Sequence, residues 1–164
     1  VHTEWRPITE FPNYSVSTAG IVRNEDTGYT MAMLRNQNGI VHVGLTKGKK
    51  QYKRSVPLLV AEAFLVPPRH STFDTPINLD GDRMNNSVEN LLWRPRWFAT
   101  RYFRQFNEPP KPKLAVVELN TGTEFQDTWD AAILYGLVDD DIRVATQTGL
   151  EIWPTYQRFR VLHE

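Results

Sequence analysis

Residues 77 to 93, INLDGDRMNNSVENLLW, gather Asp80, Asp82, Asn85, Asn86, Glu89 and Asn90 in one short stretch. Carboxylate and amide oxygens so closely spaced can ligate a hard cation or fold a turn upon themselves. A calcium loop needs oxygen donors at its first, third and fifth positions, glycine at the sixth and glutamate at the twelfth. Counted from Asp80, Gly81 stands second and Glu89 tenth, so the pattern reads as turn chemistry and no metal is expected there. An imidazole base would have to come from His2, His42, His70 or His163, of which His70 alone is near, in the loop-like PPRHSTFD. The chain has no cysteine, which excludes disulfides, thiolate metal sites and a thiol nucleophile. No cofactor is implied.

A second set of residues suits polyanion binding. WRPRWFATRYFRQF, residues 93 to 106, interleaves Arg94, Arg96, Arg101 and Arg104 with Trp97, Tyr102, Phe103 and Phe106. Guanidinium groups pair with phosphates and aromatic faces stack on bases. The same spacing equally suits a helix with an apolar stripe and solvated arginines. KGKKQYKR, residues 47 to 54, adds Lys47, Lys49, Lys50, Lys53 and Arg54 at the tip of an expected hairpin.

The elements that would position these groups can be read from periodicity. YSVS, GIVRN, GIVHVGLT and QYKRSV alternate apolar and polar residues between glycines, as short antiparallel strands do. LLVAEAFL at 58 to 65 has helix formers and stops before Pro67 and Pro68. NEPPKPK at 107 to 113 disfavours regular structure and reads as a linker. Beyond it, LAVVELNTGTEF predicts two strands joined at Asn120, Thr121 and Gly122. A helix capped at Asp127 or Thr128 runs to Tyr135 with Gly136 as its stop, and a second covers 139 to 148. Strand-like YQRFRVL closes the chain.

Net charge is zero, but it is unevenly spread. Residues 1 to 60 hold 8 Lys/Arg against 4 Asp/Glu, residues 61 to 113 hold 8 against 6, and residues 114 to 164 hold 3 against 9. The first two segments suit phosphates and the last repels them. No apolar run reaches the ~20 residues of a membrane helix, and VHTEWRP lacks the order of a signal peptide, so a cytoplasmic protein without membrane contact is expected.

Three segments, in order, resemble one known arrangement. WRPITEFPNYSVSTAGIVRN, residues 5 to 24, resembles the nuclease-associated modular segment that precedes many phage HNH endonucleases, at its Trp, Phe-Pro, Tyr, Val-Ser, Gly and Val-Arg-Asn positions. LLVAEAFLVPP at 58 to 68, followed by INLDGDRMNNSVENLLW, resembles the HNH core of the same enzymes. Residues 114 to 162 resemble the strand and helix-turn-helix repeat at the C-terminus of intron-encoded nucleases, through the Asn-Thr-Gly turn, Ala131-Ala132 and the RFRV ending. The resemblance implies an α+β fold of small antiparallel hairpins with a ββα unit over 1 to 106. The linker at 107 to 113 and a small hairpin and helix-turn-helix unit over 114 to 164 would follow.

An HNH nuclease cuts a phosphodiester with a divalent cation that stabilises developing negative charge and a histidine that deprotonates water. Carried over residue by residue, the histidine position is Asn78, the ligand position before it Ile77, the middle asparagine Asn90 and the last ligand position Ala99. A His-Arg pair expected ahead of Leu-Val-Ala is replaced by Pro57 and Leu58. An amide takes no proton at neutral pH, and Ile77 and Ala99 offer a cation nothing, so no catalytic residue is assigned. Asn90 is expected to tie the loop to the following helix.

Three functions follow from these readings. The first is a DNA-binding protein derived from an HNH homing endonuclease, with contacts from the arginines of 94 to 104 and the 47 to 54 patch. The second is a phage structural (virion) or host-interaction protein on a retired nuclease scaffold. Its protein partner would meet the acidic C-terminal unit, where Asp139, Asp140 and Asp141 start a helix near Trp129, Trp153 and Tyr156. The third is an unconventional active nuclease.

Overall fold

The computed structural model describes residues 3–163; His2 lies outside the described residues. The chain divides into two compact units, one up to Ala99 and the other from Thr100.

In the first unit, β1 (Trp5–Ile8), β2 (Phe11–Ser17) and β3 (Val22–Asn24) form one antiparallel sheet. A second sheet holds β4 (Leu34–Arg35), β5 (Val41–Lys47) and β6 (Lys50–Ser55). Alternation along β5 sends Val41, Val43 and Leu45 into the core, where they meet Phe11, Val16, Val22, Val56 and Val60. Helix α1 (Val56–Phe64) starts two residues earlier than its apolar pattern predicts. Ser55 caps it by accepting from Leu58 N at 3.4 Å, and Pro57 fits the first turn because no intrahelical bond is needed there.

The expected ββα arrangement is present. Strands β7 (Thr75–Asn78) and β8 (Leu91–Arg94) pair antiparallel, with Asn78 opposite Leu91, and helix α2 (Arg96–Arg104) follows.

The second unit contains β9 (Val116–Glu118), β10 (Glu124–Phe125), α3 (Thr128–Tyr135), α4 (Asp139–Thr148) and β11 (Phe159–Val161), with β9 central in its sheet. The buried Glu118 carboxylate shapes the turn after β9, accepting from Asn120 N, Thr121 N and the Thr121 hydroxyl at 2.7 to 3.0 Å. Gly136 closes α3 at φ 67°, a left-handed conformation that glycine takes without strain. Asp127 occupies the cap position of α3, yet its side chain makes no capping bond. Its carboxylate instead accepts from Leu114 N at 3.2 Å. Residues 108 to 113 carry no regular element and fall within this second unit, where Arg143 reaches Pro112 O at 2.8 Å.

Candidate nucleic-acid interface

The loop between β7 and β8 is closed by its own asparagines. Asn78, at the end of β7 and 3% exposed, donates from Nδ2 to Asn85 O at 2.8 Å and to Asn86 Oδ1 at 2.9 Å. Asn86 donates in turn to Arg83 O at 3.2 Å. Asn90 donates to Asp80 Oδ1 and to Asn85 O, each at 2.9 Å, and its own oxygen accepts from Asp80 N at 3.1 Å. The bonds of Asn90 therefore run back into the loop and not on to the helix, because Asn90 stands ahead of β8 and faces Asp80 across the loop's neck.

Partial burial acts to raise the Asp80 carboxyl, but hydrogen bonds from Asn85, Asn90 and the Asp82 N–H outweigh it and hold Asp80 below the ordinary carboxylate range. Ile77 and Ala99 are buried at 0% and 5% exposure, and neither side chain carries a donor atom. Among the described residues no three of His, Cys, Asp and Glu stand together as a metal site. Ile77 and Ala99, the positions to which the resemblance assigns cation ligands, thus offer a cation no side-chain donor atom. His70 packs its ring at 6.0 Å from that of Phe73, in the loop ahead of β7.

The cationic residues separate into surface and structural groups. Lys47, Lys49, Lys50 and Lys53 are exposed around the β5–β6 turn. Arg54 is held by Glu10 at 2.7 Å and lies over the Phe11 and Tyr52 rings, which fixes it as a sheet-edge brace. Arg94, read from sequence as a phosphate contact, is 6% exposed. It donates to Trp93 O at 2.8 Å and lies over Phe98, so burial at the end of β8 removes it from any surface. Arg96, Trp97 and Arg104 are exposed on α2, while Phe98 and Tyr102, four residues apart on the helix, are buried.

Arg101 grips Asp141 through both terminal nitrogens, at 2.9 and 3.1 Å, and this bond holds the guanidinium above its ordinary pKa. The other aspartates of α4 are engaged too. Asp140 pairs with Lys111, and buried Asp139 takes the Thr128 hydroxyl and Arg143 Nε. The acidic start of α4 is thus neutralised inside its own unit. Trp129 packs edge-on to Phe106 at 5.0 Å, whereas Trp153 and Tyr156 are 38% and 57% exposed.

Sequence reasoning passed over Arg35 and Arg83, whose side chains converge beside Gly39. Arg83 lies inside the polar motif, but 48 residues separate it from Arg35 and no local pattern links them.

Comparison with known proteins agrees with this picture. Residues 4–46 match the NUMOD4 motif. The chain is 32% identical over 91 residues to the protein described as uncharacterized HNH endonuclease L245 of Acanthamoeba polyphaga mimivirus, covering 56% of this chain and 27% of that protein. It is 29% identical over 91 residues to uncharacterized HNH endonuclease L247 of the same virus, covering 56% and 23%. The aligned part therefore spans about a quarter of the length of these relatives. The solved structure described as DNA binding and cleavage by the HNH homing endonuclease I-HmuI shares the fold. Its TM-score is 0.56 at 22% identity, over 98% of this chain and 99% of that one. The resemblance to HNH homing endonucleases read from the sequence is borne out. No helix among the described residues is long and apolar enough to cross a membrane.

Proposed function

We propose that this chain, a relative of the HNH homing endonucleases, binds DNA and does not cut it. One observation carries the reading. At the position of the catalytic histidine, the Asn78 amide is buried and engaged with Asn85 and Asn86, while both neighbouring ligand positions are apolar. A nuclease needs a base within reach of water and an oxygen or nitrogen ligand open to a cation. Neither stands at Ile77, Asn78 or Ala99. What remains is a fold with exposed cations at Lys47, Lys49, Lys50, Lys53, Arg96 and Arg104, together with exposed Trp97. Those groups suit phosphates and an unstacked base. The protein would act in the cytoplasm of an infected host, as the viral origin of its relatives suggests.

The protein-partner reading has less behind it. Asp139, Asp140 and Asp141 are each paired with a cation of their own unit, which offsets the acidic charge at the start of α4.

Two measurements decide the proposal together. Mobility-shift titrations on duplex and single-stranded DNA should show a complex that weakens steeply with salt. Supercoiled plasmid incubated with Mg²⁺ or Mn²⁺ should stay supercoiled. A missing complex at low salt would end the binding reading, and nicking abolished by Asn78→Ala would end the claim of lost cleavage.

A further inference from the structure

Trp93 stands on β8 with its indole Nε1–H shut off from solvent and without an acceptor among the described residues. The indole offers one hydrogen-bonding group, a donor, so only an acceptor atom such as an oxygen can complete it. A buried donor left without one is a standing cost to the fold. Trp93 also lines a cavity of about 330 Å³ that lies within the first unit.

The lining of that cavity narrows what would bring the oxygen. Leu58 comes from α1, and Pro67, Pro68 and Phe73 come from the segment between α1 and β7. Such walls suit rings and methylene groups. The charged groups that line the cavity are Glu62 and Asp74, both carboxylates, whereas Arg69 of the same segment is not among its walls. Partial burial and then the Glu10 carboxylate push the Glu62 carboxyl above its ordinary value, by more than Arg54 draws it down. A cation seated beside Glu62 would reverse that balance. Two negative charges disfavour a phosphate or carboxylate as the acceptor, which leaves a neutral carbonyl with a cation close by.

An extended segment containing proline meets all of these terms. Proline has no N–H, so burying it against apolar walls strands no donor. In the polyproline conformation its carbonyls make no internal bonds and stay open to the indole. Grooves lined by aromatic residues take such segments in other folds.

We propose that this cavity docks an extended segment of a protein partner that carries proline and a basic residue. A backbone carbonyl of that segment accepts from Trp93 Nε1, and its cation sits beside Glu62 and Asp74. The proposal does not draw on the DNA-binding reading, so either can fail alone.

The test is NMR on the ¹⁵N-labelled chain, in which Trp93→Phe identifies the Trp93 indole signal by its loss. Titration with the acetylated and amidated peptide Ala-Pro-Pro-Lys-Pro-Lys should move that signal downfield and saturate, while the other four indole signals stay in place. Trp93→Phe should weaken binding of the labelled peptide about tenfold, by anisotropy, through loss of the one donor. Glu62→Gln should weaken it about threefold, as the loss of an exposed ion pair does. Glu62 is exposed, so that variant keeps the fold even where Trp93→Phe does not.

Peptides with alanine for every proline, or glutamate for every lysine, should bind far more weakly. Equal affinity for either overturns the assignment of the partner, and an unmoved Trp93 signal at millimolar peptide overturns the site. A shift that saturates with a DNA duplex would assign the cavity to nucleic acid. A shift on raising the protein concentration alone would assign it to a second copy of the chain. Either of these also overturns the proposal.

Discussion

Asn78 Nδ2 donates to Asn86 Oδ1 at 2.9 Å, with both residues buried. This bond lies where an HNH nuclease would hold its base, and it closes a polar loop. Asn78→Ala strands Asn86 Oδ1 away from water and removes a donor from Asn85 O as well. A buried acceptor left unsatisfied costs ~1–3 kcal/mol. Urea denaturation should show a loss of about 2 kcal/mol with an unchanged slope. A loss within error would mean that the bond does not support the loop.

Asp80 gives the loop a pH dependence. Its carboxyl is held below the ordinary value in the folded state, so the folded chain prefers it ionised. The stability it contributes is complete above the unfolded value of ~3.9 and is lost as pH falls through the lower folded value. Asp80→Asn should therefore flatten the stability profile below about pH 4 relative to the unaltered chain. Parallel acid titration curves for the two proteins would contradict this assignment.

Much of this was legible from local pattern. The turn at Asn120 to Gly122, the stop at Gly136 and the helix over Asp139–Thr148 each rest on one residue's backbone preference or on a short period, which sequence displays directly. The substituted positions at Ile77, Asn78 and Ala99 could likewise be counted along the chain. Burial at strand ends and long-range convergence could not. Arg94 looks like its neighbour Arg96 in sequence. One closes β8 under Phe98 and the other opens α2 in solvent. The cations that neutralise α4, Arg101, Lys111 and Arg143, are likewise known only once the unit has folded around them.

That contrast separates binding arginines from structural ones. Arg94→Ala should cost about 2 kcal/mol of stability through lost packing and a broken carbonyl bond. Arg96→Ala should cost less stability than Arg94→Ala and reduce the salt slope of DNA binding by about one unit. The same split is expected at the hairpin. Arg54→Ala loosens the Glu10 contact and shows in the melting temperature, while Lys49→Ala and Lys50→Ala show in the salt slope. Equal slope losses for Arg94→Ala and Arg96→Ala would reverse the assignment.

Gly39 tests the turn that keeps two cations side by side. Alanine there must adopt φ +81° and meet Arg35 Nη2 and Arg83 Cδ at 3.2 Å. Strain of that kind costs ~1–3 kcal/mol, part of it recoverable if the exposed Arg35 swings away. Gly39→Ala should therefore lower stability by about 1 kcal/mol without altering net charge. Gly28 is the comparison, since its φ of +74° is similar but a side chain there meets nothing within 4 Å. An equal stability loss in Gly28→Ala would assign the cost to backbone strain and not to the crowding of the arginines.

Restoring histidine alone should not restore cutting. Asn78→His places an imidazole where a base is wanted, yet it breaks the bonds to Asn85 and Asn86 that shape the loop. It also leaves Ile77 and Ala99 on either side of the chemistry with no atom for a cation. Without a cation, charge building on the phosphate and the departing oxygen has no partner at that spot. Supercoiled plasmid with Asn78→His and Mg²⁺ or Mn²⁺ should remain uncut at concentrations that saturate binding. Nicking by this single variant would mean that other groups in the loop, Asp80 foremost, hold a cation well enough for hydrolysis, and that the histidine was the one part missing.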